Sequence, residues 1–242
     1  MRIVFFGSSH GVPEPNRRCT SILIEVGENR YFIDMGTQSI EELATRRIPV
    51  DSVKAVFITH MHGDHTNGLI SFVDLCTWYY KTANPEFYLP EPVDCAVDAI
   101  NGWMKCNGKP MRDFKFSPVK EGPIFDDGII RVTAYKTLHT ACSWAFLVEA
   151  EGKRVLFGGD MCGKGPKEDF PLSVLDAPLD LAICEAAHFP ATAYLPILGD
   201  ADLKRLCITH YSDTFLASVL ELKKALPHIP VFRAEDGLEI NL

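Results

Sequence analysis

Thr59-His60-Met61-His62-Gly63-Asp64-His65-Thr66 decides how this chain is read, because three imidazoles and a carboxylate fall within the six residues 60–65. Upstream, Ser52-Val53-Lys54-Ala55-Val56-Phe57-Ile58 is a short apolar run rich in β-branched residues and reads as a strand. Downstream, Leu69, Phe72, Val73 and Cys76 recur at helical spacing. The histidines therefore sit on a strand-to-helix loop. From an extended loop His60 and His62 aim two rings the same way, while Gly63 supplies a sharp turn that brings Asp64 and His65 round from another side. Two groups of ligands, and hence two metal ions, follow from that geometry. A single histidine is usually a hydrogen-bonded core or surface residue; four ligand-type residues in this order are not explained that way.

Composition narrows the function classes. A chain of 242 residues with 47% hydrophobic and 23% charged side chains fits one globular domain spanning 1–242. The net charge of −8 argues against an extended nucleic-acid surface, which needs basic groups to displace counterions, and leaves a small anionic substrate held by metal ions as the expected partner. No hydrophobic run approaches membrane-spanning length, and the apolar start, Met1 to Gly7, is too brief for a signal peptide and reads as a first strand. Eight cysteines without a C-x-x-C pair are expected to be free thiols, which together with the missing leader places the protein in the cytoplasm.

Along the chain, Ile22–Val26 and Tyr31–Asp34 bracket a hairpin turn, and Ile40, Leu43 and Ala44 give a short amphipathic helix. Residues 75–112 read as a helical insertion whose aromatics, Trp78, Tyr79, Tyr80 and Trp103, pack against the body or form a lid or a homodimer face. Strands are expected at 129–135, 143–149, 153–157 and 179–184; the stretch 206–212 repeats the design of a strand followed by a histidine, and a helix is expected over 215–226. Val231-Phe232 and Leu238-Glu239-Ile240 are expected to close the second sheet. His139, Asp160, His188 and His210 each lie in or just beyond a loop that leaves one of these strands. Arg17 and Arg18, in the turn-rich loop after the first strand, are weighed as phosphate contacts against an ordinary solvated loop.

The H-x-H-x-D-H pattern of residues 60–65 resembles the signature of the metallo-β-lactamase superfamily. The resemblance implies an α/β (α+β) fold, a four-layer αβ/βα sandwich of two mixed β-sheets with helices on the outer faces. The opening loop, Gly7-Ser8-Ser9-His10-Gly11-Val12-Pro13 and then Arg17, looks like the ribonuclease Z and phosphodiesterase branch. Matching the family pattern residue by residue, His139 is the next ligand, Asp160 the shared carboxylate and His210 the last ligand, while Asp34 supports the metal loop from behind. One site is then His60, His62 and His139, and the other Asp64, His65 and His210, with Asp160 common to both. Two divalent ions are implied, zinc foremost, with Mn2+ or Fe2+ as alternatives in the more oxygen-rich site.

The expected activity is that of a metal-dependent hydrolase using a metal-bridging hydroxide on a small phosphodiester or cyclic nucleotide. Asp64 would orient the attack and His188 would contact the scissile group or protonate the leaving group, against a plain hydrogen bond of His188 to Glu185. Carboxylic ester, lactone and thioester hydrolysis use the same chemistry and stay open. A tRNA 3′-processing endonuclease fits less well, because the stretch Ala191–Asp202 lacks the histidine of that branch's His-Ser-Thr motif and no tRNA-grasping arm is evident. A diiron redox protein would carry glutamate at the place of His62, and a metal-containing ligand-binding or scaffold module would be expected to close its site with four ligands.

Overall fold

Alternation on buried strands organises the molecule. In β1 (Arg2–Gly7), Ile3 and Phe5 point to one core while Val4 and Phe6 point to another, so both faces of the strand are covered. The computed structural model describes residues 1–12 and 14–242; Pro13 of the opening loop lies outside them. The chain continues through β2 (Ser21–Val26), β3 (Asn29–Ile33), β4 (Val53–Phe57), β5 (Glu86–Leu89) and β6 (Phe116–Pro118). The second set is β7 (Gly122–Asp126), β8 (Arg131–Thr137), β9 (Ser143–Ala150), β10 (Lys153–Phe157), β11 (Leu181–Ala186), β12 (Leu206–Tyr211) and β13 (Val231–Arg233), after which β14 (Glu239–Asn241) ends the chain.

Two seven-stranded sheets result, ordered β14-β1-β2-β3-β4-β5-β6 and β13-β12-β11-β10-β9-β8-β7. Both are mixed: β3 to β6 and β10 to β13 run parallel, and their neighbours antiparallel. One apolar core lies between the sheets and includes Phe57 and Phe146. A second joins the first sheet to α1 (Ser39–Thr45), α3 (Leu69–Trp78) and α4 (Val93–Lys105). The third joins the second sheet to α5 (Leu195–Leu198) and α6 (Leu216–Ala225). This is the expected sandwich of two mixed sheets with helices on both outer faces. No helix among the described residues is long and apolar enough to cross a membrane.

Two expectations are corrected. The segment 75–112 is not a helical insertion: Glu86–Leu89 is a strand that pairs in parallel with β4 and β6, so the region extends the first sheet as a β-α-β unit. The strand was hidden because Pro85 and Pro90, which bound it, also read as breaks between helices. Trp78 packs against the core, whereas Tyr79 and Trp103 are exposed. The end of the chain does not close the second sheet either. β14 pairs antiparallel with β1, Ile240 opposite Ile3, so the last strand crosses to the first sheet and ties the two ends of the chain together. Cys142 and Cys162 are half-buried, and all eight cysteines are free.

One close approach fixes how the first sheet carries the histidine loop. A Cβ built on Gly36 would fall onto the backbone carbonyl of Asp64 and close to that of Thr20. Gly36→Ala is expected to destabilise the fold by about 1–3 kcal/mol through overpacking, a fall in Tm of roughly 3–10 °C for a domain of this size. Gly102→Ala, where a Cβ meets nothing within 4 Å, is the control in a thermal melt; an equal response at both positions would contradict the close approach.

Candidate metal centre

The centre lies at one edge of the sandwich, where parallel strands end. His60 follows β4, Asp160 follows β10 and His210 is the penultimate residue of β12, while His139 sits two residues beyond β8. Asp64 and His65 are on α2 (Gly63–Thr66), a single helical turn that starts at the glycine, closed by a bond from the Asn67 amide to the Gly63 carbonyl (2.7 Å). That turn swings Asp64 and His65 away from the direction of His60 and His62.

All seven expected ligands come together. The ligand atoms of His60, His62 and His139 form one group and those of Asp64, His65 and His210 another, each with its atoms within 4.8 Å of one another; Asp160 groups with His60 and His65 and with His139 and His188. His62 Nδ1 lies 2.9 Å from His60 Nε2 and 3.2 Å from His139 Nε2. Three ring nitrogens facing one another repel unless a proton or a cation sits among them. Asp160 Oδ2 is 3.1 Å from His210 Nε2, and Asp160 Oδ1 is 3.5 Å from His65 Nε2. Those last two atoms, Asp160 Oδ1 and His65 Nε2, are buried without a hydrogen-bond partner. Buried polar atoms are rarely left so. Imidazole nitrogens and carboxylate oxygens aimed at common points are the donors divalent zinc, manganese or iron take, so the residues present fit such ions.

The far side of four of the five ligand rings, all but His62, is held by protein. His65 Nδ1 donates to Asp34 Oδ2 (2.7 Å) and His139 Nδ1 to the Met161 carbonyl (3.3 Å), while Thr20 Oγ1 meets His210 Nδ1 at 3.4 Å and Thr59 Oγ1 meets His60 Nδ1 at 3.2 Å. Bonds of this kind set which nitrogen is free to bind. Asp34 does most: its Oδ1 also accepts from the Thr59 amide at 2.7 Å, which locks the entrance to the histidine loop. Asp34 and His210 both have positive φ, 60° and 44°. Non-glycine residues seldom adopt that conformation unless their surroundings over-determine it.

Electrostatics follow from burial and charge. Burial and the neighbouring His65 push His60 down to about 2, so its ring is neutral at physiological pH. Burial raises Asp64, but the adjacent His65, its Nε2 3.3 Å from Oδ2, and His210 outweigh it and hold the carboxyl at about 2. Against its own burial, His65 is raised well above its ordinary value by Asp160 and Asp34. Against burial likewise, His210 and His65 hold Asp160 far below the usual carboxylate range.

His188 borders the same centre, its ring 4.6 Å from that of His139 and its Nδ1 4.0 Å from Asp160 Oδ2. Its Nδ1 also lies 2.8 Å from both oxygens of Glu185, whose hydrogen bond raises the imidazole above its ordinary value. The hydrogen bond to Glu185 and the place beside the centre are therefore both present. Glu185 further accepts from the Met161, Ala187 and His188 amides. Its signal in the sequence was a lone carboxylate in the apolar strand Leu181–Ala186. Neither Arg17 nor Arg18 faces the centre. Arg17 stacks on Tyr211 at 3.7 Å and pairs with Glu14, and Arg18 pairs with Glu42. His10 is engaged by Glu14 and the Val12 amide, and His228 by the Gly199 carbonyl.

Fold and site together define a protein of the metallo-β-lactamase fold with a His/Asp donor cluster at the edge of its two sheets. The ribonuclease Z of Thermosynechococcus vestitus is 27% identical over 158 residues, 64% of this chain and 38% of that protein. The chain spans about half or less of the length of the curated relatives it matches. The short form of human tRNase Z (ELAC1) superposes with a TM-score of 0.77 at 21% identity, covering 100% of this chain and 99% of that one. The metallo-β-lactamase fold protein YhfI from Bacillus subtilis gives 0.78 at 18% identity, with 99% and 98% covered. More particularly, the model of the family described as Anti-Pycsar protein Apyc1 matches residues 1–168, and the chain belongs to that family.

Asp34→Ala removes the partner of His65 Nδ1 and is expected to weaken metal binding about 10–100-fold. Competition with a chromophoric chelator measures this; unchanged affinity would mean that His65 needs no such support.

Proposed function

We propose that the chain is a dinuclear metal-dependent hydrolase acting on a small phosphodiester, with a cyclic nucleotide as the leading substrate class. The observation that carries the reading is the meeting of seven donor side chains from both sheets at one edge, with the His188–Glu185 pair beside them. His60, His62 and His139 would hold one divalent ion and Asp64, His65 and His210 the other, with Asp160 common to both. Ions held there supply Lewis acidity, yielding a nucleophile from water at neutral pH and offsetting charge on a phosphoryl oxygen.

The chain's own groups do the rest. Asp64, held ionised, accepts a hydrogen bond from the attacking water and orients it. His188, fixed through Nδ1 by Glu185, keeps Nε2 to donate a proton to the leaving oxygen, a role imidazole suits near neutral pH. Phosphodiester chemistry is favoured by the curated relatives named ribonuclease Z. A small substrate is favoured by the net charge of −8 and by the stretch after His188. There Ala191, Tyr194 and Leu198 are buried in the outer core, so these side chains serve packing.

Purified protein is expected to carry about two divalent ions per chain and to hydrolyse an aryl phosphodiester and a cyclic nucleotide. Chelation and Asp160→Ala should each remove both properties. His188→Ala should keep the metal and lower kcat by roughly 10²–10⁴-fold. Full metal content with turnover only of carboxylic esters, lactones or thioesters would replace the phosphodiester reading. Full metal content with turnover of none would leave a binding module.

A further inference from the structure

Asp169 belongs to no ligand group, yet it is only 3% exposed. Its Oδ1 accepts from the Leu138 amide at 2.5 Å and its Oδ2 from the Cys162 amide at 2.6 Å. Leu138 immediately precedes His139, and Cys162 follows Asp160 by two residues. One carboxylate thus grips the two loops that bring His139 and Asp160 into the centre. A buried carboxylate is costly unless its oxygens are hydrogen-bonded, and bonds from amides to an ionised acceptor are among the stronger ones.

The grip is braced from behind. The Asp169 and Phe170 amides both bond to the Pro166 carbonyl, at 3.1 and 2.8 Å, and Phe170 is buried edge-on against Tyr194. In front, the two loops touch through His139 Nδ1 and the Met161 carbonyl (3.3 Å) and through Thr137 Oγ1 and the Asp160 carbonyl (3.1 Å). The two gripped residues are themselves poorly covered, Leu138 being exposed and Cys162 half-buried. On the Asp160 side Met161 is fixed in the outer core, whereas on the His139 side Leu138 has no such anchor; His139 Nε2 stands 3.7 Å from Asp160 Oδ2.

We propose that Asp169 is a positioning residue for the metal centre, fixing the separation of His139 from Asp160 through the two amides; the proposal rests on the metal-centre reading above. Asparagine at this position offers one acceptor oxygen and turns an NH2 group toward the other amide, so one side of the grip is lost.

Zinc titrations in competition with a chromophoric chelator, run well below the unfolding temperature, test this with wild-type protein, Asp169→Asn and Asp180→Asn. Asp180 is also a buried carboxylate, bound to the Arg154 amide (3.0 Å) and Lys204 (2.8 Å), but it stands at the start of β11, away from the centre. Asp169→Asn is expected to weaken at least one zinc site about 10–100-fold, whereas Asp180→Asn lowers Tm and leaves zinc affinity unchanged. Wild-type affinity in Asp169→Asn, or an equal loss in both variants, overturns the proposal. Failure of the wild-type protein to bind zinc overturns the metal-centre reading instead. A second measurement needs no variant: in metal-free wild-type protein the Leu138 and Cys162 amides are expected to exchange with deuterium as slowly as those of β9. Free exchange at both overturns the grip whether or not Asp169→Asn folds.

Discussion

Five imidazoles crowd one buried carboxylate. His60, His65, His139, His188 and His210 each place a ring nitrogen within 4.0 Å of Asp160. Removing so many polar groups from water is strongly unfavourable unless they are paired, and a carboxylate with one oxygen lacking a hydrogen-bond partner is the least tolerable member. The arrangement makes physical sense as a set of donors for positive charge.

Such a cluster stands only because the backbone around it has few alternatives. Asp34 ties the end of β3 to Thr59 and His65, Glu185 ties β11 to the loop after Asp160, and both do so with buried carboxylates that accept from amides as well as from rings. The strained backbone at Asp34 and His210 is held by neighbours on both sides, the Asp34 amide bonding to the Phe57 carbonyl and the His210 amide to that of Ser8. The first sheet carries four of the seven donors and the second three. The apolar core between the sheets is therefore what sets the metal geometry, and the side chains at the edge inherit its precision.

Much of this was legible in the residues and part was not, for identifiable reasons. Strands buried on both faces, such as Val53–Phe57 and Leu206–Tyr211, announce themselves as apolar runs, and a ligand placed straight after such a run carries the register with it. Periodicity is silent about which sheet a short strand joins, so Glu239–Asn241 was assigned to the wrong sheet, and it does not separate a strand of four residues from a helix break, so Glu86–Leu89 was missed. Asp169 left no trace at all, because a carboxylate that accepts from backbone amides of distant loops obeys no local pattern. The arginines of the opening loop, weighed as phosphate contacts against a solvated loop, are instead satisfied by Glu14, Tyr211 and Glu42.

Everything said of function depends on two ions occupying the two donor groups. Crystals grown with zinc and measured on both sides of the zinc absorption edge address this directly. Two anomalous peaks per chain are expected, one among His60, His62 and His139 and one among Asp64, His65 and His210, with Asp160 reaching both. A single peak, or peaks away from these residues, would contradict the dinuclear centre.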